Sequence, residues 1–257
     1  MTYREKLENR IHSAGSRLCI GLDPRPELHG SDLRVFLADV IAQTLPYAAA
    51  YKPNCAYFEA LGARGLAVLE ELRDMIPADV PVVLDAKRGD IGETQRYYAK
   101  AAFEVLRADA VTLNPFMGFY TLEPFLAYPG RGVYLLAVTS NPGSTDIERQ
   151  LLADGRPVYA LVEEFAARAT AAGFPGTVGF VVGLTNAGDD VLVRFGDHPL
   201  LIPGLGAQGG DLAAWSSQPR QAPDIINVSR GILYAEPEKS FAEKAKYYAD
   251  AIAHHRR

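Results

Sequence analysis

The run Leu84-Asp85-Ala86-Lys87-Arg88-Gly89-Asp90-Ile91 sets two carboxylates and an ammonium close together, directly after the apolar stretch from Val80 to Leu84. Side chains alternate along a strand, so Val83, Asp85 and Lys87 are expected on one face, with Leu84 and Ala86 on the other. Gly89 breaks the extended run, and Asp90 follows on a turn from which it can reach this site or a neighbouring one. Charge packed this densely fits either an exposed salt-bridge cluster at a strand end or a functional constellation. Carboxylates beside a lysine favour its ammonium form, which suits a proton donor and opposes a Schiff-base nucleophile.

The elements that would position these groups follow from periodicity. Eight short apolar runs read as strands: Leu18 to Leu22, Ala48 to Lys52, Val80 to Leu84, Ala110 to Leu113, Gly132 to Val138, Val178 to Val182, Leu200 to Ile202 and Ile225 to Val228. Between them lie stretches of helical period. Gly65 to Ile76 puts Leu69, Leu72 and Ile76 on one face, and Thr94 to Leu106 does so with Tyr98, Ala101, Ala102 and Val105. Alternating strands and helices over 257 residues predict an α/β fold, a (β/α)8 TIM barrel formed as one domain over residues 1–257. An open doubly wound sheet is the alternative, but no G-x-G-x-x-G opens a helix after the first strand.

In such a barrel the C-terminal strand ends form the active face. They carry Asp23, Lys52, Asp85 with Lys87, Asn114, Thr139 and Ser140. Gly21 shares a face with Asp23, and Ala50 with Lys52, so small residues should leave space beneath the charged ones. The segment 141–156 is longer than a usual βα connection and reads as a lid or subunit-contact loop.

Composition narrows the partners. Hydrophobic residues at 48% and charged residues at 22% indicate an ordinary globular chain, not a disordered one. A net charge of -5 argues against a nucleic-acid binder, while an anionic small substrate remains open if positive charge is concentrated locally. Cys19 and Cys55, both in apolar surroundings, read as buried thiols of a reducing compartment. With no signal-peptide pattern and no long apolar span, a cytoplasmic protein without membrane contact is expected. The tail from His254 to Arg257 reads as a solvated helix end.

After the seventh strand comes Pro203-Gly204-Leu205-Gly206-Ala207-Gln208-Gly209-Gly210-Asp211, and after the eighth Ser229-Arg230-Gly231. Glycines let backbone N–H groups approach an anion, and these two loops are where a barrel commonly holds phosphate. Gly209, Arg230 and Gly231 are the phosphate-binding candidates, with Arg230 able to make bidentate charge-assisted hydrogen bonds. The sequence offers no His-x-His or Glu-x-x-His pattern for a metal and no G-x-S-x-G elbow.

With Asp85-x-Lys87-x-x-Asp90-Ile91-x-x-Thr94, Lys52 at a strand end, Pro203-Gly204 with Gln208, and Ser229-Arg230-Gly231 in order, the chain resembles the orotidine 5'-phosphate decarboxylases. The likeness extends from Cys19 to Ala235, and the phrasing around Asp85 is similar to the longer bacterial (type 2) subgroup. Tyr120 departs from that subgroup, where an acidic residue is expected, which touches only local contacts. The resemblance implies decarboxylation of orotidine 5'-monophosphate to uridine 5'-monophosphate (UMP) and carbon dioxide, the last step of UMP synthesis. It implies neither cofactor nor metal. It also implies a homodimer in which Asp90, Ile91 and Thr94 enter the partner's site. Carried onto this sequence, Lys87 protonates C6 of the pyrimidine and Asp85 faces the departing carboxylate. Lys52 and Asp23 hold the ribose, Ser140 and Gln208 contact the pyrimidine, Pro203 lines the substrate site, and Arg230 binds the phosphate. Two other readings share the motif: a metal-dependent sugar-phosphate lyase or synthase, and a barrel that only binds a phosphorylated metabolite.

Overall fold

A computed structural model describes residues 1–30, 32–183, 185–186, 188–205, 212–217 and 220–255. Each expected run forms a strand: β1 (Leu18–Leu22), β2 (Ala48–Pro53), β3 (Val83–Arg88), β4 (Ala110–Leu113), β5 (Gly132–Val138), β6 (Thr177–Val182), β7 (Leu200–Pro203) and β8 (Ile225–Val228). Their order in the sheet is β2-β1-β8-β7-β6-β5-β4-β3, with all ladders parallel. The two ends of that list meet at a sparse seam, where the backbones are linked by the isolated bridges Tyr51↔Val82 and Asn54↔Asp85 instead of a continuous ladder. The result is a nearly closed (β/α)8 barrel. Among its longer helices are α1 (Tyr3–Ala14), α2 (Leu33–Thr44), α3 (Gly62–Met75), α4 (Gly92–Lys100), α5 (Tyr159–Ala171) and α6 (Phe241–His254).

The period-2 pattern sorts the core into two layers. Outward residues such as Leu84, Val111 and Leu113 join the large cluster between sheet and helices. Inward residues form a second cluster of Cys19, Ala50, Val83, Ala110, Tyr134, Val181, Leu201 and Ile225. Into that interior α1 inserts Tyr3 and Leu7, both fully buried, and so closes the N-terminal end of the barrel. The Tyr3 and Tyr134 hydroxyls lie 3.0 Å apart, with the rings edge to face at 5.9 Å. Gly132 makes room for this plug: a Cβ there would lie 2.5 Å from the Tyr3 ring. Thr2 and Glu5 cap the start of α1 reciprocally, which fixes where the plug begins.

Two expectations need correction. The third strand begins at Val83 and runs through Arg88, not from Val80 to Leu84. Pro81 has no N–H to give, and Val80 N is used in a turn to Pro77 O at 3.0 Å, so regular pairing starts late. The buried face of the helix after β3 is also rotated. Gln95, Ala99, Ala102 and Phe103 face the core, whereas Ala101 and Val105 are exposed. Gln95 and Ala99 already set this face within α4, and Ala102 and Phe103 continue it at ordinary helical spacing into a π-helical stretch, Ala101–Val105. No helix among the described residues is long and apolar enough to cross a membrane.

The lower end of β3 is anchored through Asp109. Its Oδ1 accepts from Lys6 Nζ on α1 at 2.6 Å, and its Oδ2 accepts from Val82 N at 2.9 Å. The carboxylate is buried, and losing it strands both an ammonium and a backbone amide. Replacement of Asp109 by alanine is expected to cost about 3 kcal/mol of stability, read from the shift in a urea unfolding curve.

Candidate active site

Lys52 on β2 and Asp85 on β3 face each other across the seam, where ladder hydrogen bonds are fewest. Lys52 Nζ donates to Asp85 Oδ2 at 2.6 Å, and both side chains are less than one-tenth exposed. The other carboxylate oxygen, Oδ1, receives Lys87 Nζ at 2.5 Å and the Thr112 hydroxyl at 3.0 Å. One carboxylate is thus held between two ammoniums. Lys87 itself is about half exposed, at 49%, so it looks into open space while its partners do not. The expected sharing of one face by Asp85 and Lys87 is observed. Plain alternation is not the whole cause, because Lys87 sits at φ +47° in the left-handed region. For a residue with a Cβ that backbone costs of order 1–2 kcal/mol, which the surrounding contacts must offset.

Burial by itself would raise the Asp85 carboxyl, but the charges of Lys52 and Lys87 outweigh it and hold the group well below the usual carboxylate range. Burial would lower the Lys52 ammonium, and the attraction of Asp85 and Asp23 outweighs that, leaving it above the ordinary lysine value. Cys19, in the layer beneath, is pushed up to about 12 by burial and remains a thiol. Cys19 and Cys55 are both buried and unbridged.

Beside this triad opens a cavity of about 380 Å³, lined by Asp23, Arg25, Tyr57, Ser140, Pro203, Gly204, Leu205, Asn227, Ser229, Arg230 and Gly231. The ends of five strands contribute to it, as the sequence led us to expect for Asp23, Ser140, Pro203, Arg230 and Gly231. Asp23 couples the two regions, since it lines the cavity and also attracts Lys52. Three of its polar atoms, Asp23 Oδ1, Asn227 Oδ1 and Ser229 Oγ, are buried with no hydrogen-bond partner among the described residues. Buried polar atoms are rarely left unpaired, so this wall offers hydrogen bonds to a ligand or to water. Gly21 allows the wall to exist: a Cβ there would lie 2.6 Å from Ser229 Cβ. The space expected beneath Asp23 is therefore taken up by the β8 loop.

Arg25, Tyr57, Asn227 and Thr112 were not anticipated from the sequence. Asn227 and Thr112 could have been, because each is an inward polar residue two positions beyond a core residue, Ile225 and Ala110. Arg25 and Tyr57 gave no such signal. The Arg25 guanidinium lies 5.9 Å from the Tyr57 ring and 5.8 Å from the Tyr234 ring, residues far apart in the chain. Gln208 and Gly209 lie outside the described residues.

Other expected residues stand away from this cavity. Asp90 accepts a hydrogen bond from Ile91 N at 2.7 Å and makes no ion pair among the described residues. Ile91 is 51% exposed, and neither it nor Thr94 lines the cavity. Asn114 is used locally, its Oδ1 accepting from Phe116 N at 3.0 Å. Thr139 turns toward the 141–156 segment, where Glu148 accepts from its N–H and hydroxyl at 2.8 Å each. A larger apolar cavity of about 560 Å³ lies between that segment, the β4 and β5 ends and α5. The one carboxylate on its wall is Glu148, already engaged by Thr139, so the smaller polar cavity is the better placed for acid–base chemistry.

A family model described as orotidine 5'-phosphate decarboxylase / HUMPS family matches residues 16–245. The chain belongs to this family. It is 45% identical to an orotidine 5'-phosphate decarboxylase of Roseiflexus sp. (strain RS-1), over 96% of this chain and 94% of that relative. Identity is 43% to the protein of the same name from Cupriavidus necator, covering 97% and 95%. The solved structure of Leishmania donovani OMP decarboxylase superimposes with a TM-score of 0.87 at 39% identity, covering all of this chain and 99% of that one. Within this orotidine 5'-phosphate decarboxylase fold, Tyr120 is 52% exposed, and its ring is 3.3 Å from where a Cβ on Gly92 would stand.

The charge balance predicts a pH signature. With its folded value depressed, Asp85 contributes stability that is present above the unfolded value and is lost as pH falls through the folded one. Removing Lys52 leaves that carboxylate buried with less compensation. The variant Lys52→Met should be about 3 kcal/mol less stable at neutral pH. The deficit should shrink below roughly pH 4, where protonation of Asp85 removes the poorly paired charge. Paired urea unfolding curves at pH 7 and pH 3.5 check this.

Proposed function

We propose that this protein converts orotidine 5'-monophosphate to UMP and carbon dioxide, with Lys87 delivering the proton to C6. The observation that carries this reading is the Asp85 carboxylate clasped by Lys52 and Lys87 beside a polar cavity that ends at Arg230. Around that cavity and triad, the cations Lys52, Lys87, Arg25 and Arg230 outnumber the carboxylates Asp23 and Asp85, in a chain whose net charge is -5. Positive charge concentrated in an acidic chain suits an anionic nucleotide.

In this reading the phosphate lies toward Arg230 and Gly231, with Gly209 completing its cradle. The ribose hydroxyls meet Asp23 and Lys52, and the pyrimidine meets Ser140, Pro203 and Gln208. A carbanion at C6 is poorly delocalised into the ring, so the developing charge has to be stabilised by a cation already in place. Lys87, oriented by Asp85, is that cation. Should the substrate carboxylate lie about 4 Å from Asp85, repulsion of roughly 4 kcal/mol at an effective dielectric near 20 is relieved as neutral carbon dioxide departs. Binding energy from the remote phosphate supplies the orientation. No step calls on a cofactor or a metal, and the 141–156 segment serves as a lid or subunit contact on a single-domain barrel. We place the protein in the cytoplasm, where two buried free thiols are the ordinary state.

A direct spectrophotometric assay with orotidine 5'-monophosphate, with and without EDTA, tests the activity. Turnover indifferent to chelator is expected; activity lost in EDTA and restored by magnesium would favour the metal-dependent lyase. In the same assay Lys87→Ala should fall by at least roughly 1,000-fold while UMP still binds. Wild-type turnover in that variant would remove Lys87 from its assigned role.

We also propose a homodimer in which Asp90, Ile91 and Thr94 enter the partner's site. It is supported by the separation of Asp90 from its own cavity, and by the exposed Ile91 beside it and the exposed Tyr120 against Gly92. Mixing inactive Lys87→Ala and Asp90→Ala subunits should restore part of the activity, because a heterodimer contains one intact site. No recovery despite demonstrated subunit exchange would count against a shared site.

A further inference from the structure

The ladder between β3 and β4 is interrupted where the chemistry sits. Leu84 pairs with Val111 and Arg88 with Leu113, so the chain takes four steps on β3 against two on β4. The surplus residues include Asp85 and Lys87. A bulge of this kind leaves backbone groups without ladder partners. Two of them, Ala86 N and Lys87 N, donate to a single side-chain oxygen, Thr112 Oγ1, at 3.0 and 2.9 Å. That hydroxyl gives its own proton to Asp85 Oδ1 at 3.0 Å. With one proton and two lone pairs, a threonine hydroxyl has no further capacity, and here all of it is spent on three consecutive residues of β3.

We propose that Thr112 is a positioning residue for the decarboxylation, holding the β3 bulge in the form that keeps the Asp85 carboxylate and the Lys87 ammonium together. This rests on the reading of Lys87 as proton donor. Thr112 is 1% exposed and points inward above Ala110, so it acts through β3. Its bond to Lys87 N restrains a lysine whose left-handed backbone would otherwise relax toward the extended region and carry the side chain with it. Its bond to Asp85 Oδ1 restrains the same oxygen that receives the ammonium, so carboxylate orientation and lysine backbone are set by one group.

Valine has nearly the shape of threonine without the hydroxyl, and serine keeps the hydroxyl without the methyl. A purely structural role for Thr112 would lower stability and leave turnover of the folded enzyme unchanged. A positioning role lowers kcat in folded protein. We expect Thr112→Val to bind UMP within roughly threefold of wild type while kcat for orotidine 5'-monophosphate falls about tenfold to a hundredfold. Thr112→Ser should stay within about fivefold of wild type. Wild-type kcat in Thr112→Val, or a serine variant as slow as the valine one, overturns the proposal. If the valine variant does not fold, Thr112→Cys takes its place; with its weak donor it should fold and turn over measurably slower, and wild-type kcat there also overturns the proposal. Lys87→Ala is assayed in parallel. An active Lys87→Ala overturns the lysine reading and this inference together, whereas an inactive one beside a fully active Thr112→Val overturns only the inference.

Discussion

Everything at the mouth of this barrel depends on keeping one carboxylate ionised inside protein. Asp85 sits where solvent cannot stabilise its charge, and two ammoniums and a hydroxyl replace the water it gave up. Partial removal is costly in such an arrangement, because a buried charge that loses one partner is left poorly compensated. It also links the site to the fold. Lys52 and Asp85 come from the two strands that share the fewest ladder bonds, so the contact that readies the site also draws the seam of the barrel together.

The two ends of the barrel meet opposite demands. At the N-terminal end the interior is filled by apolar and aromatic side chains, with α1 pushed in as a plug. At the other end some buried polar atoms have no partner among the described residues, and a lysine is held in a costly backbone conformation. Apolar packing is concentrated at the plugged end, and backbone strain at the end where the reaction is proposed to occur. The large buried tyrosines and Asp109 are therefore part of what allows the mouth to remain so polar.

Much of this was legible in the sequence because it rests on local signals. Period-2 apolar runs located the strands, and parity told which residues turn inward, including Val83, Asp85 and Lys87. Pro203, Arg230 and Gly231 were expected at the mouth, and they line its cavity. What escaped depends on relations between strands. The β3 bulge leaves no mark in a single-segment pattern, and the apolar stretch from Val80 hides the late start of β3 behind Pro81. Parity marks Thr112 only as an inward polar residue, its partners on β3 being set by the pairing of two strands, and Arg25 with Tyr57 and Tyr234 acquires meaning only when distant segments stack. Separate motifs gathered at one cavity because the barrel places every strand's C-terminal end at the same mouth.

The plugged floor has a bearing on how the enzyme is reset. A lysine that surrenders a proton in each cycle, as proposed for Lys87, must regain one before the next, and among the described residues the barrel below it is packed with Tyr3, Leu7 and Tyr134. Lys87 is half open to the mouth, while Lys52 and Asp85 are enclosed. Bulk water entering as product leaves can recharge it directly. On that proposed role, no internal wire of titrating side chains is required.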